Sequence, residues 1–298
     1  MSVRRVSALA VTALAAMICL SCGDVYRPVV IPINPTPPNP SGFHAVFAIS
    51  SNVPFNKGAA FQIDVSGDTN IGQANMGWNP THAAILPTNS RVFVASAGTL
   101  NVGGADVVTA FTPAANSSAG TGLGTPTTFT FPNVGPAGPD GLPTWVCSYL
   151  PDFLTTTQFN SVYVANYGVE NDPACLPNGL SSTDSVAVLG LSNSAITNIA
   201  YLPGGSHPVA LAETPNAQHL YVVNQGTGTV TDLSPTDLST KATIAVGATP
   251  VWAAARNDNQ RVYVLTQGDG TLVPIDVATD AVLPSPTVGA GANFVLFE

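Results

Sequence analysis

The chain has 298 residues, of which only 8% are charged and 45% are hydrophobic, and its 27 glycines and 26 prolines favour turns over helices. The net charge is −9 and the eight Lys and Arg residues are scattered, so the composition excludes the basic patch that a nucleic-acid partner needs. These features favour one large all-β domain, a class in which a single domain can reach this length.

The N-terminal segment, residues 1 to 21, has the pattern of an export signal. Arg4 and Arg5 precede an apolar run, Val6 to Leu20, that is too short to span a bilayer comfortably. The run ends in the letters CLSC, which resemble a bacterial lipobox, and that resemblance implies a lipid on Cys22. An ordinary cleaved signal peptide with a free Cys22 is the alternative. We expect an exported protein that a lipid anchor holds at the outer membrane, in the periplasm or at the cell surface.

Residues 22 to 41 are predicted to join the anchor to a folded domain that covers residues 42 to 298. Arg27 to Ser41 carries six prolines in fifteen residues and has no period-two pattern, so we expect an extended linker. Loss of residues 1 to 21 would remove two of the eight basic residues and no acidic residue, and the net charge would become −11.

An internal repeat organises the rest of the chain. The segment HLYVVNQGTGT, which begins at His219, returns 42 residues later as RVYVLTQGDGT, and six of the eleven positions are identical. Looser copies begin at Arg91 and Ser161. Each copy reads as a strand followed by a turn, and in the two strongest copies that turn is rich in glycine.

A proline marks the start of each predicted unit. Pro80, Pro208 and Pro250 each stand thirteen residues before the aromatic residue of the repeated strand. Pro143 stands twenty residues before it, which we interpret as a seven-residue insertion around Pro151 to Thr157. A period of about forty residues with four strands per unit is typical of a β-propeller blade.

The letters YVVN at Tyr221 to Asn224 and YVAN at Tyr163 to Asn166 resemble the strand motif of the YVTN-repeat propeller family. The resemblance covers approximately Phe43 to Glu298. It implies an all-β propeller of four-stranded antiparallel blades. The motif itself is a structural strand and implies no activity.

The two ends of the repeat bear on the number of blades. Ala292 to Phe297 has the phase of a first strand, whereas His44 to Ser50 reads as a second strand and Gln62 to Val65 as a third. Pairing of Ala292 to Phe297 with His44 to Ser50 would close a ring of about five blades. A truncated seven-bladed ring is the alternative, since seven blades are more usual in the family that the chain resembles.

Cys147 and Cys175 are the only cysteines after Cys22, and they flank the strand that contains Tyr163. In an exported protein this pair predicts a disulfide, with two buried thiols as the alternative. After Cys22 the sequence contains no CxxC motif and no His/Cys cluster, so we expect no metal and no other cofactor.

The position two residues after each phasing proline, and after Ala292 in the last unit, is predicted to face the central axis. It holds His82, Trp145, Ala210, Trp252 and Phe294. The four ring-bearing residues of this set are candidates for a ring at the channel, with packing between blades as the alternative. His44, His207 and His219 are predicted to be solvated at strand or turn edges.

Acidic residues recur on or beside the predicted third strands, which indicates structural caps. They are Asp64, Asp184, Asp232 and Asp276. No carboxylate pair of glycosidase spacing, nucleophile elbow or Ser/His/Asp arrangement is recognisable, so no catalytic residue is assigned.

Two functions remain, and the sequence favours the first. It is a non-catalytic, monomeric binding or scaffold module that presents the insertions Ala97 to Thr125 and Glu170 to Asp184 to a protein, peptide or glycan partner. The alternative is a lactonase-like hydrolase of a sugar lactone, since some propellers related to the family that the chain resembles are lactonases. An enzyme should gather several charged or His residues at one channel mouth, and the predicted ring offers a single His.

Overall fold

The computed structural model describes residues 45–51, 56–65, 68–98, 106–114, 123–132, 147–157, 159, 161–176 and 179–295. All of them belong to one compact unit, Ile31–Glu298. The predicted signal peptide, Cys22, the linker, His44, Trp145 and Phe297 lie outside the described residues. No helix in this described part of the chain is long and apolar enough to cross a membrane.

Nineteen strands make up the described fold. In chain order they are β1 (Ala45–Ser50), β2 (Ala59–Asp64), β3 (Thr69–Asn75), β4 (Pro80–Ile85), β5 (Val92–Ser96), β6 (Val107–Phe111), β7 (Thr127–Thr130), β8 (Pro151–Thr156), β9 (Val162–Asn166), β10 (Ser185–Gly190), β11 (Ala195–Tyr201), β12 (Pro208–Glu213), β13 (Leu220–Asn224), β14 (Thr229–Leu233), β15 (Thr240–Ala245), β16 (Pro250–Ala255), β17 (Arg261–Thr266), β18 (Thr271–Asp276) and β19 (Ala281–Val282).

The strands form five antiparallel sheets, which are the blades of a propeller. Blade 1 is the three-stranded sheet β1 to β3, and blades 2 to 5 are four-stranded meanders, β4 to β7, β8 to β11, β12 to β15 and β16 to β19. Every residue of β5, β9 and β13 is buried, because neighbouring blades cover both faces of these second strands. The prediction of an all-β propeller built from four-stranded antiparallel blades is confirmed.

A proline begins the first strand of each four-stranded blade, and the residue before it has a positive φ. These residues are Asn79, Leu150, His207 and Thr249, with φ of 49°, 49°, 48° and 52°. Blade 3 therefore starts at Pro151, which is the first residue of β8. The interpretation of Pro151 to Thr157 as an insertion was wrong. Pro151 stands twelve rather than thirteen residues before Tyr163, so a strict spacing rule passed over it.

Blade 1 contains a second, a third and a fourth strand. Its β3 leads directly into β4, just as β15 leads into β16, so β3 is a fourth strand. The assignments of His44 to Ser50 as a second strand and Gln62 to Val65 as a third agree with β1 and β2, apart from His44 and Val65 at their ends.

The predicted closing strand is not seen. Residues 292–295 form no strand, and within the described residues β1 pairs only with β2. The backbone leading to this segment turns instead of extending, because Gly289 and Gly291 have φ of 94° and 91°. Pro284 and Pro286 precede them and lack the N–H groups that a ladder needs. The prediction that Ala292 to Phe297 pairs with His44 to Ser50 is therefore wrong for the described parts of these segments, residues 292–295 and 45–50.

The hydrophobic core lies between adjacent blades. Phe93 and Phe129 of blade 2 share one buried cluster with Leu154 of blade 3. Val223 of blade 4 and Val264 of blade 5 belong to another. The first strands pack side by side, with β4 next to β8, β8 next to β12 and β12 next to β16. This packing places the two ends of each first strand at two opposite faces, and the loops at those faces carry the polar clusters described below.

Candidate functional site

Two of the candidates for the channel ring, His82 and Trp252, lie in a row of packed side chains. His82 stacks on Phe153, with 4.2 Å between the ring centroids, and Phe153 meets Trp252 edge-on at 5.5 Å. All three side chains are buried. Phe153 takes the position that the sequence had given to Trp145, since it follows Pro151 by two residues. Phe294 is 47% exposed and Trp145 lies outside the described residues.

Cys147 and Cys175 form a disulfide across 28 residues of sequence. It ties the segment before β8 to the long connection between β9 and β10, residues 167–184, which we call the excursion. Two further contacts hold the same parts together. The Thr183 hydroxyl donates to the carbonyl of Ser148 at 2.6 Å, and the Ser148 N–H donates to Asp172 at 3.2 Å.

The excursion ends at Asp184, a fully buried carboxylate that fixes the entry to the next blade. Its Oδ1 accepts the backbone N–H of His207 at 2.9 Å, and its Oδ2 accepts the N–H of Gly205 at 2.9 Å. The Ser182 hydroxyl also donates to Oδ2, at 2.5 Å. We call this arrangement the entry clasp: a carboxylate just before a third strand holds the N–H groups just before the next first strand.

Blade 2 has the same entry clasp, and a comparison of the two shows which part of the His207 clasp the fold does not require. Asp106 precedes β6, and its Oδ2 accepts the N–H groups of Tyr149 at 2.5 Å and Leu150 at 2.9 Å. Leu150 and His207 are therefore equivalent residues with nearly the same φ. The clasp needs only a backbone N–H at this position, so the imidazole of His207 is an addition that the fold does not require.

The His207 imidazole is held in one orientation. It stacks on the ring of Tyr167 with a centroid distance of 4.4 Å and an interplanar angle of 8°. Its Nδ1 lies 2.9 Å from the carbonyl oxygen of Tyr167 and 3.1 Å from Oδ1 of Asp184. Both partners are acceptors, so Nδ1 carries the hydrogen and the neutral ring keeps its lone pair on Nε2. The side chain is 27% exposed, so a small molecule can reach it.

Small residues leave room around this imidazole. A Cβ on Gly226 would lie 2.8 Å from Cδ2 of His207, which is closer than real Cβ contacts allow. A Cβ on Gly205, whose φ is 79°, would lie 3.0 Å from Oε1 of Glu170. Glu170 is exposed. Its position next to Gly205 adds a second carboxylate beside Asp184, which binds the N–H of Gly205. Tyr167, Glu170, Ser182, Asp184 and His207 together make the candidate site, which we call the His207 site.

The sequence did not indicate this site. His207 and His219 were expected to be solvated, but their side chains are only 27% and 19% exposed, and each faces a fully buried aspartate. The four recurring aspartates also differ in position. Asp184 precedes its strand, Asp232 lies inside β14, and Asp64 and Asp276 end theirs. The four residues therefore do not share one position relative to the strand. A comparison of the residues before Pro80, Pro151, Pro208 and Pro250 could have singled out His207.

Comparisons with known proteins agree on the fold. The chain matches no protein-family model and no curated protein. Among solved structures it is similar to a candidate 6-phosphogluconolactonase from Bacteroides fragilis, with 15% identity, a TM-score of 0.55 and coverage of 84% of this chain and 69% of the other. A candidate 6-phosphogluconolactonase from Bacteroides uniformis has 11% identity and a TM-score of 0.53, with coverage of 82% of this chain and 68% of the other. A protein from Lactobacillus plantarum has 15% identity and a TM-score of 0.53, with coverage of 84% of this chain and 68% of the other.

These neighbours correct the functional expectation. The sequence favoured a non-catalytic binding or scaffold module, whereas two of the neighbours carry the name of a lactone-hydrolysing enzyme. At 11% to 15% identity the likeness itself is one of fold.

Proposed function

We propose that the chain is a hydrolase that opens sugar lactones at the His207 site. The observation that carries the proposal is the fixed His207 imidazole, whose Nδ1 faces two acceptors at 2.9 Å and 3.1 Å while the ring is partly exposed. The names of the two structural neighbours support the choice of a lactone as substrate.

The chemistry needs one base and one water molecule. Nε2 of His207 takes a proton from water as the water oxygen attacks the lactone carbonyl carbon, and a tetrahedral intermediate forms. The bond between that carbon and the ring oxygen then breaks. The ring oxygen takes the proton back from the imidazolium, so one water is consumed and a hydroxy acid is produced. Asp184 stabilises the imidazolium, because its carboxylate lies 3.1 Å from Nδ1.

The substrate class follows from the charges of the site. Asp184 and Glu170 are both acidic, and the chain has a net charge of −9. A phosphate dianion would be repelled here, whereas the hydroxyl groups of a neutral sugar can donate hydrogen bonds to Glu170. We therefore propose a lactone without a phosphate group, unlike the substrate in the names of the two neighbours.

The first prediction tests the base. His207→Leu should retain the fold, because Leu150 occupies the equivalent position in blade 3 with nearly the same φ. It should lower the rate of sugar-lactone opening about 100-fold or more, as expected for loss of a general base. The measurement is the initial rate of acid release from glucono-δ-lactone and galactono-γ-lactone, corrected for spontaneous hydrolysis.

The matched control is Thr249→Asn, which changes the equivalent residue before Pro250 to the amino acid found before Pro80. It should leave the rate unchanged. The proposal fails if the wild-type protein gives no rate above spontaneous opening with either lactone, or if His207→Leu keeps its activity. Faster opening of 6-phosphogluconolactone than of the neutral lactones would overturn the substrate class alone.

We also infer that the enzyme belongs with the YVTN-repeat propellers and works outside the cytoplasm on a lipid anchor at Cys22. The motifs at Tyr163 and Tyr221 support the first inference. The basic n-region, the short apolar run and the CLSC letters support the second. An extracytoplasmic site is compatible with a substrate that carries no phosphate.

A further inference from the structure

A second polar cluster lies at the opposite face of the propeller, between blades 4 and 5. It consists of His219, Asp232, Tyr221 and Asp280, and we call it the inter-blade cluster. His207 precedes β12 and His219 precedes β13, and these two strands are antiparallel. The two histidines therefore stand at opposite ends of one hairpin, so the cluster takes no part in the His207 site.

The four side chains of the cluster form two hydrogen-bonded pairs. Nδ1 of His219 lies 2.6 Å from Oδ2 of Asp232, and the hydroxyl of Tyr221 donates to Oδ1 of Asp280 at 3.0 Å. The imidazole stacks on Tyr221 with an interplanar angle of 13°. One possible ligand atom from each of His219, Asp232 and Asp280 lies within 4.8 Å of the other two.

Asp232 has one carboxylate oxygen that accepts no hydrogen bond from the described residues. Its side chain is completely buried, and among the described residues its Oδ1 has no hydrogen-bond donor. A buried carboxylate oxygen without a donor costs free energy, because it has lost water and gained nothing in return. The nearby Asp280 carboxylate increases that cost by repulsion. A bound cation would offset both effects.

The repeat itself does not require these residues. Across the ladder between second and third strands, Tyr221 pairs with Asp232, and the equivalent pairs are Phe93 with Ala110, Tyr163 with Val188 and Tyr263 with Pro274. The positions of His219 in the other copies hold Arg91, Ser161 and Arg261. Blade 4 thus carries a His and an Asp at positions where blades 2, 3 and 5 carry neither.

We propose that His219, Asp232 and Asp280 bind one divalent metal ion of the Zn²⁺ or Mn²⁺ type and so clamp blade 4 to blade 5. One imidazole and two carboxylates suit such ions better than Ca²⁺, which prefers oxygen ligands alone. Two ligand atoms of a tetrahedral Zn²⁺ ion are about 3.4 Å apart. The three ligand atoms lie within 4.8 Å of one another, so binding requires the side chains to move closer together around the ion.

The test uses the whole exported chain after dialysis against a chelator. Titration calorimetry with ZnCl₂, and separately with MnCl₂, should show one ion per chain, and the saturating ion should raise the melting temperature. Co²⁺ should give visible absorption bands that indicate imidazole nitrogen in its coordination shell. His219→Gln and Asp280→Asn should each weaken Zn²⁺ binding at least tenfold, and His219→Gln should change the Co²⁺ bands.

Asp237→Asn is the matched control, because it removes the same charge from an exposed turn at the same face. It should bind Zn²⁺ as the wild type does. The proposal is overturned if no ion binds, if more than one binds with equal affinity, or if the control loses as much affinity as Asp280→Asn. Binding is measured without any lactone, so this result stands apart from the test of His207.

Discussion

At the scale of single residues, Asp106 and Asp184 form the same entry clasp in neighbouring blades. The pKa of Asp106 provides a test of the clasp. Asp106 is 4% exposed, and both of its hydrogen bonds come from backbone N–H groups rather than from a cation. Burial raises the pKa of its carboxyl from 3.8 to about 6, despite those hydrogen bonds from Leu150 and Tyr149. The folded protein therefore holds this proton more tightly than the unfolded chain does.

The sign of the pH effect follows from that difference. The stability that Asp106 contributes as a neutral acid is fully present below pH 3.8 and is lost as the pH rises to about 6. At about 1.4 kcal/mol per pKa unit, the loss is about 3 kcal/mol. Burial also raises the pKa of Glu213, from 4.5 to about 7, so this residue contributes a further loss at somewhat higher pH. The loss from Glu213 is smaller than the shift alone would give, because its carboxyl is partly exposed and water screens it.

We predict that Asp106→Asn removes the lower part of this pH dependence. An amide oxygen can still accept both N–H groups, so the clasp remains, but the side chain no longer titrates. The melting temperature of the variant should change less between pH 4 and pH 5 than that of the wild type. Glu213→Gln serves as the comparison, since it should flatten the curve mainly above pH 5. An unchanged slope in Asp106→Asn would show that this carboxyl is not the titrating group.

At the scale of elements, the excursion of blade 3 determines where the site can form. It carries Glu170 and ends at Asp184, and the disulfide holds it against the segment before β8. The equivalent connections in blades 4 and 5 are short turns of four residues. The turn of blade 4 has no carboxylate, and Asp269 in the turn of blade 5 accepts the N–H of Ala248 at 2.6 Å. A long connection needs such bracing because a free loop would lose much of its order to conformational entropy.

We predict that Cys147→Ser combined with Cys175→Ser lowers the free energy of unfolding by about 3.5 kcal/mol, as the chain-entropy model gives for a loop of this size. Amide hydrogen exchange should increase most in residues 167–184 and least in blade 5. Lactone opening should slow, because Asp184 and Glu170 would be held less firmly. Leu176→Ser, at an exposed neighbouring residue, should change neither property. Equal loss of protection in all blades would argue against a local brace.

At the scale of the whole molecule, the proposed anchor would determine where the protein works. If Cys22 is lipidated, cells fed a labelled fatty acid should yield labelled protein in the detergent phase, and Cys22→Ser should abolish the label. Cys19→Leu is a suitable control, because it brings the letters before Cys22 closer to the common lipobox and should preserve labelling. Labelled Cys22→Ser protein would contradict the anchor.

The repeat in the sequence was sufficient to predict the propeller and most of its strands. Alternating apolar residues, glycine turns and prolines such as Pro80, Pro208 and Pro250 act within one blade, so a period in the sequence reports them directly. The same local rule misplaced the start of blade 3, because Pro151 departs from the common spacing by one residue. It also predicted a strand at residues 292–295, where the preceding glycines turn the chain.

The candidate sites depended on tertiary structure. His207 and Asp184 are 23 residues apart and come from consecutive blades, while His219 and Asp280 lie in blades 4 and 5. Their contacts form only when the blades pack side by side. The repeat in the sequence does not indicate which residues of neighbouring blades are then in contact. Burial adds a second effect that composition cannot show, since it is the loss of water that leaves the Asp232 carboxylate without a partner for Oδ1 within the described structure.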